Sequence, residues 1–120
     1  MFGLPSAVKI YLAAEPTDMR RGFDGLAAMV VARGQDVYSG HLFAFVSKRK
    51  NRVKILCWDR GGFVLWYKRL ERGQFRLPVI APNAETVQLD GGQLAMLLDG
   101  VDIRHVRRNI AWKPPEKTKT

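Results

Sequence analysis

The residues of this chain best suited to chemistry are its cations. Between Lys48 and Arg76 lie ten of them: Lys48, Arg49, Lys50, Arg52, Lys54, Arg60, Lys68, Arg69, Arg72 and Arg76. The same stretch holds two acids, Asp59 and Glu71. The full 120 residues carry 20 Lys and Arg against 11 Asp and Glu, a formal net charge of +9, so about a quarter of the length carries nearly all of the excess. Ammonium and guanidinium groups are the side chains that pair with phosphate oxygens. Crowded together they create a positive field that draws polyanions. The opposing reading is a solvated face that only keeps the protein soluble. Concentration in one segment favours a binding patch.

Along the chain the charges form distinct clusters. Ser47-Lys48-Arg49-Lys50-Asn51 reads as a compact basic hairpin tip, and Arg52 and Lys54 continue its charge along the following strand. Lys68, Arg69 and Arg72 make a second cluster. Arg104, Arg107 and Arg108 make a third, which on a helix would share one face through three- and four-residue spacing. The residues expected to contact nucleic acid are Lys48, Arg49, Lys50, Arg52, Lys54, Arg60, Lys68, Arg69 and Arg72. Either of the later clusters could instead pair with acids on a protein partner.

Other chemistries find less support. Metal-dependent phosphodiester cleavage needs several carboxylates converging on one site. Asp18, Asp24, Asp59, Glu71 and Asp90 are scattered without characteristic spacing, and turns or caps account for Asp59 and Asp18. His41, His105 and the single Cys57 cannot assemble a zinc site from closely spaced ligands. No glycine loop followed by Lys-Ser/Thr is present. The expectation is a protein without catalytic residues, metal or cofactor.

The elements that must position the cations are legible from periodicity. VKIYLA (residues 8–13) alternates as a first strand. Thr17 or Asp18 can cap a helix carrying Met19, Phe23, Leu26 and Val30 as one apolar stripe, ending near Gly34. HLFAFV, RVKILCW and FVLWYKR follow, separated by SKRKN and DRGG, which predicts an antiparallel meander. Residues 85–89 form a possible fifth strand. Asp90 with Gln93 resembles a capping box that opens a short helix over Leu94, Met96, Leu97 and Leu98, closed by Gly100.

If Arg60-Gly61 is a two-residue turn, Trp58 faces Phe63, Leu56 faces Leu65, Lys54 faces Tyr67 and Arg52 faces Arg69. These eight then share one face of the sheet, because side chains alternate across a strand. Two readings of that face are open. Its aromatics and cations could form a platform on which bases stack while Lys and Arg hold phosphate. Alternatively Leu56, Leu65 and Trp58 bury under the helices and only the outer cations stay exposed. Val53, Ile55, Cys57, Val64 and Trp66 on the opposite face are the expected core side.

Length and an apolar fraction of 47% suit one α+β domain over residues 1–112, mostly antiparallel, with one longer and one shorter helix. Residues 113–120, KPPEKTKT, are expected to be a flexible basic tail. No apolar run is long enough to span a bilayer, the first residues lack the order of a secretory signal, and a lone cysteine suits a reducing compartment. A cytoplasmic location without membrane contact is therefore expected.

Four segments in register, PTDMRRGFDGLAAMV, SGHLFAF, KILCWDRGGFVLWYKRLERGQF and QLAMLLDGVD, with the leading GLPSAVKIYLA, resemble the TnpB or Orf2 accessory proteins of the insertion-sequence sixty-six family. The resemblance covers nearly the whole chain apart from its tail. It departs at Asp90-Gly91-Gly92, where a Thr-Pro type cap is usual. It implies a bacterial mobile-element protein that assists a separately encoded transposase, and it supplies no catalytic residues to carry over. The combined expectation is a transposition accessory protein that binds DNA, or RNA, through the basic hairpin and works with the transposase of the same element. The rival is an adaptor that docks the transposase without touching DNA. A nuclease-like enzyme ranks below both.

Overall fold

The computed structural model describes residues 7–100. Among them lie, in order, β1 (Ile10–Ala13), α1 (Phe23–Ala32), β2 (Leu42–Val46), β3 (Arg52–Asp59), β4 (Gly62–Arg69), β5 (Thr86–Leu89) and α2 (Gly91–Asp99). The strands form one sheet in the order β4-β3-β2-β1-β5. β1 and β2 run parallel, with α1 in the connection between them, and every other pairing is antiparallel. This is the expected α+β arrangement with its central β2-β3-β4 meander.

Both faces of the sheet are covered, which explains why β2 reads LFAFV, an apolar run rather than an alternation. On one face Ile10, Leu12, Leu42, Ala44, Val46, Val53 and Ile55 pack against Leu94, Leu97 and Leu98 of α2. On the other, Ala13, Phe43, Phe45 and Leu56 pack against Leu26 and Val30 of α1. Of the two readings open for the Leu56 face, the one that buries it under a helix therefore holds for Leu56. The Val53 face is a core, but so is the face carrying Leu56. Val64, expected inside, is exposed, because β4 is an edge strand that α2 covers incompletely.

The β3–β4 hairpin has the predicted register. Trp58 pairs with Phe63, Leu56 with Leu65, Lys54 with Tyr67 and Arg52 with Arg69. Arg60 and Gly61 both have positive φ, 46° and 86°, as a tight turn matched to strand twist requires.

The start of α1 departs from the sequence reading. The helix begins at Phe23, with Gly22 at its N-cap and no side-chain cap. Asp18 instead closes a local turn, its Oδ1 accepting from the Arg20 amide at 2.9 Å. Short polar side chains compete with helix in this way, and glycines at 22 and 25 weaken the first turns. Met19 therefore lies outside the helix, Phe23 is exposed, and the buried stripe reduces to Leu26 and Val30.

At α2 the capping box forms in full. Gln93 N donates to Asp90 Oδ1 at 2.7 Å, and Asp90 N donates to Gln93 Oε1 at 2.9 Å, so the helix start is satisfied despite the glycines at 91 and 92. Gly100 follows with φ +72°, and a Cβ there would stand 2.7 Å from Leu70 Cδ1. Only glycine fits both that conformation and that approach. The third basic cluster, Arg104, Arg107 and Arg108, and the expected tail lie outside the described residues.

Candidate nucleic-acid interface

Lys48, Arg49 and Lys50 occupy the loop from β2 to β3. Its backbone is tied down from within: Ser47 N donates to Arg52 O, Lys50 N to Ser47 O, and Arg52 N to Ser47 Oγ. Lys50 takes a left-handed conformation, φ 61°, which turns the chain back toward β3. The segment after β4 ties the loop from outside. Leu70 N donates to Asn51 O, Phe75 N to Lys50 O, and Gln74 Nε2 to Arg49 O. Phe75 is buried in the α2-side core and so anchors that segment. The carbonyls of Ser47, Arg49, Lys50 and Asn51 are thus occupied, and the three cationic side chains stay exposed.

The same end of the sheet gathers further charge. Arg52 opens β3 directly opposite Arg69, which closes β4. Like charges facing across a pair repel. Arg69 relieves this by donating to Glu71 Oε1, at 2.6 Å through Nη2, and the carboxylate holds its guanidinium more firmly protonated than usual. Arg72 lies beyond it, exposed. Among the described residues no carboxylate pairs with Lys48, Arg49, Lys50 or Arg52.

A cleft of about 340 Å³ opens here, lined by Thr17, Asp18, Met19, Ser47, Lys48, Arg49, Asn51 and Arg52. The loop ahead of α1 forms its far wall. Arg20 grips Asp18 through Nε and Nη2, the closest contact being 2.7 Å, and these bonds hold the Asp18 carboxyl down to a pKa of about 2. Sequence reasoning missed this wall. The Thr-Asp-Met-Arg-Arg run had been absorbed into the expected helix, and its signal was the Arg pair itself.

Three of the nine expected residues lie elsewhere. Lys54 is buried, 8% exposed; its ammonium donates to the carbonyls of Met19 and Arg21 at 2.9 and 2.8 Å and lies 4.8 Å from the Tyr67 ring centroid. Lys68, on the opposite face, donates to Leu98 O at 2.7 Å, neutralising the negative end of α2. Arg60 is exposed at the far hairpin turn, about 25 Å from Arg52 at the rise of a strand. The structure thus brings together Lys48, Arg49, Lys50, Arg52, Arg69 and Arg72.

The aromatics do not accompany this cluster. Trp58 and Phe63 sit at the Arg60 end, where Tyr38 packs on both with centroid separations of 5.0 and 5.8 Å. Leu56 is fully buried and Leu65 half-buried beneath α1, so the mixed face is a covered sheet rather than an open stacking platform. Tyr67 remains about half exposed.

Among the described residues no group of three His, Cys, Asp or Glu could hold a metal, and no helix is long and apolar enough to cross a membrane. His41 is structural: its Nδ1 accepts from the Lys9 amide at 3.1 Å, and its ring meets Tyr11 edge-on. Burial, with the nearby Asp59 charge, pushes the Cys57 thiol up, the opposite of an activated nucleophile.

Residues 8–108 match the family model described as IS66 Orf2 like protein. The chain is 34% identical over 115 residues to "Uncharacterized protein y4jC" of Sinorhizobium fredii, covering 95% of this chain and 97% of that one. It is 36% identical over 120 residues to "Uncharacterized protein y4hO" of the same organism, covering 92% and 96%. No solved structure matches. With a family match across most of its length and two full-length relatives, the chain belongs to the IS66 Orf2-like family and takes an accessory role in transposition.

Proposed function

We propose that the chain serves transposition by binding DNA electrostatically through the end of the sheet that carries Lys48, Arg49, Lys50, Arg52, Arg69 and Arg72, and that it does so without chemistry of its own. The observation that supports this most is the pinned loop. Its backbone is held by the segment after β4 while its cations have no acid partner among the described residues, so little ordering is needed when phosphate arrives. Contacts of this kind fix position on a nucleic acid without reading bases. The test is fluorescence anisotropy with a labelled duplex across a salt series. If five to six phosphates are neutralised, the log–log slope is roughly −5; an affinity that hardly changes with salt argues against the reading. Incubation with plasmid and Mg²⁺ or Mn²⁺ is expected to leave the DNA uncut.

The second reading, contact with the transposase, is favoured by the opposite end of the molecule. Tyr38, 61% exposed, stands on Trp58 and Phe63, and rigid aromatic groups of this kind anchor protein interfaces. The two readings coexist on separate ends of the sheet. Co-purification with the transposase after nuclease treatment, lost in Tyr38→Ser, is the expected result.

A further inference from the structure

Thr17 combines two properties that an ordinary loop residue does not. It is 5% exposed, and its Oγ1 is buried without a hydrogen-bond partner, a costly state for a hydroxyl. It also lines the cleft whose other wall carries Lys48, Arg49 and Arg52. Its position is fixed by its own backbone, since Thr17 N donates to Val46 O at 2.9 Å, which places it beside the last residue of β2, where the basic loop departs. The other hydroxyl lining the cleft is already committed: Ser47 Oγ donates to Asn51 Oδ1 and accepts from Arg52 N. The one acid on the cleft wall, Asp18, is matched by Arg20.

We infer that this cleft seats a single phosphate group, with Thr17 Oγ1 donating a hydrogen bond to one phosphate oxygen and Lys48, Arg49 and Arg52 supplying the balancing charge. The inference rests on the nucleic-acid reading above and adds to it a defined seat and a neutral donor that charge counting misses. The space, about ten times the share of one water molecule in the liquid, takes a tetrahedral phosphate. The chemistry suits a backbone phosphodiester and a terminal phosphate equally.

The test uses the full chain, the isosteric Thr17→Val, and Thr17→Ser, which keeps the hydroxyl. Each is titrated by anisotropy with one duplex carrying either a 5′-phosphate or a 5′-hydroxyl. Separately, inorganic phosphate is titrated into ¹⁵N-labelled protein. Thr17→Val is expected to weaken duplex binding roughly tenfold, the effect of losing one hydrogen bond to a charged group, with the thermal midpoint of the free protein unchanged or raised. Thr17→Ser is expected to bind as the parent does. A loss on both duplexes assigns the seat to a backbone phosphate, and a loss confined to the 5′-phosphorylated one assigns it to a terminus; either supports the inference. Unchanged affinity of Thr17→Val on both duplexes overturns it. If the parent protein binds no duplex, the proposed function fails, and the phosphate titration decides the cleft alone. Saturable shifts of the amides of residues 47–52 carry it, and their absence sinks it. The same titration on the parent protein decides the matter should Thr17→Val fail to fold.

Discussion

The ammonium of Lys54 lies 2.8 Å from the carbonyl oxygen of Arg21, and through this bond a cation from the middle of the sheet holds the loop that precedes α1. The Met19 carbonyl accepts from the same group. Lys54→Met would leave both carbonyls without that partner in a part-buried setting, so a loss of about 1–3 kcal/mol is expected, measurable by urea denaturation. The salt dependence of DNA binding should stay that of the parent protein, because this charge faces inward.

The pairing of Gly100 with Leu70 makes a second prediction. Gly100→Ala forces a positive φ on a residue with a Cβ and drives that carbon toward Leu70 Cδ1 and the Gln74 carbonyl. Destabilisation of at least about 1 kcal/mol is expected. Since residues 70–75 also pin the basic loop, amide exchange at residues 49–51 should accelerate in the same variant. Unchanged exchange would separate α2 from the loop.

Acid should act through Asp18. Its pKa of about 2 in the folded chain lies below the ordinary 3.8 because Arg20 donates to its charged form. A depressed carboxylate stabilises the folded state above its unfolded pKa and loses that contribution as pH falls through the folded value. The gap in thermal midpoint between the parent protein and Asp18→Asn is therefore expected to close between about pH 4 and pH 2. The side chains are well exposed, so the gap is small at any pH.

Cys57 offers a chemical check on burial. Its Sγ lies 3.5 Å from the carbonyl oxygens of Gly40 and Trp58, and its thiol is raised above the ordinary value. Alkylation by iodoacetamide at pH 8 should be several-fold slower in the folded protein than in urea. Equal rates would show that the β3–β4 hairpin opens readily.

The hairpin was legible because its signals are local. Arg60-Gly61 sets the turn, and a period of two then assigns every partner from Arg52–Arg69 to Trp58–Phe63. The capping box at Asp90 was legible for the same reason. The fate of the cations was not. Lys54 and Lys68 sit in the same charge-dense segment as Arg52 and Arg69, yet alternation sends Lys68 to the α2 side, and Lys54 meets carbonyls more than thirty residues away in sequence. No spacing rule reports such long-range acceptors. The start of α1 failed for a related reason: Asp18 had two local uses, helix cap or turn, and the side chain of Arg20 decided between them.

DNA is expected to be held by the cations at one end of the sheet and not by the chain's charge as a whole. The most direct measurement compares the salt slope of duplex binding in two variants: Lys48→Ser with Arg49→Ser, Lys50→Ser and Arg52→Ser together, and Arg60→Ser alone at the far turn. The fourfold variant is expected to flatten the slope by about 3 to 4, near 0.9 for each phosphate contact removed, while Arg60→Ser leaves it within about 0.5. A fourfold variant with the slope of the parent protein would show that these four cations do not hold the duplex.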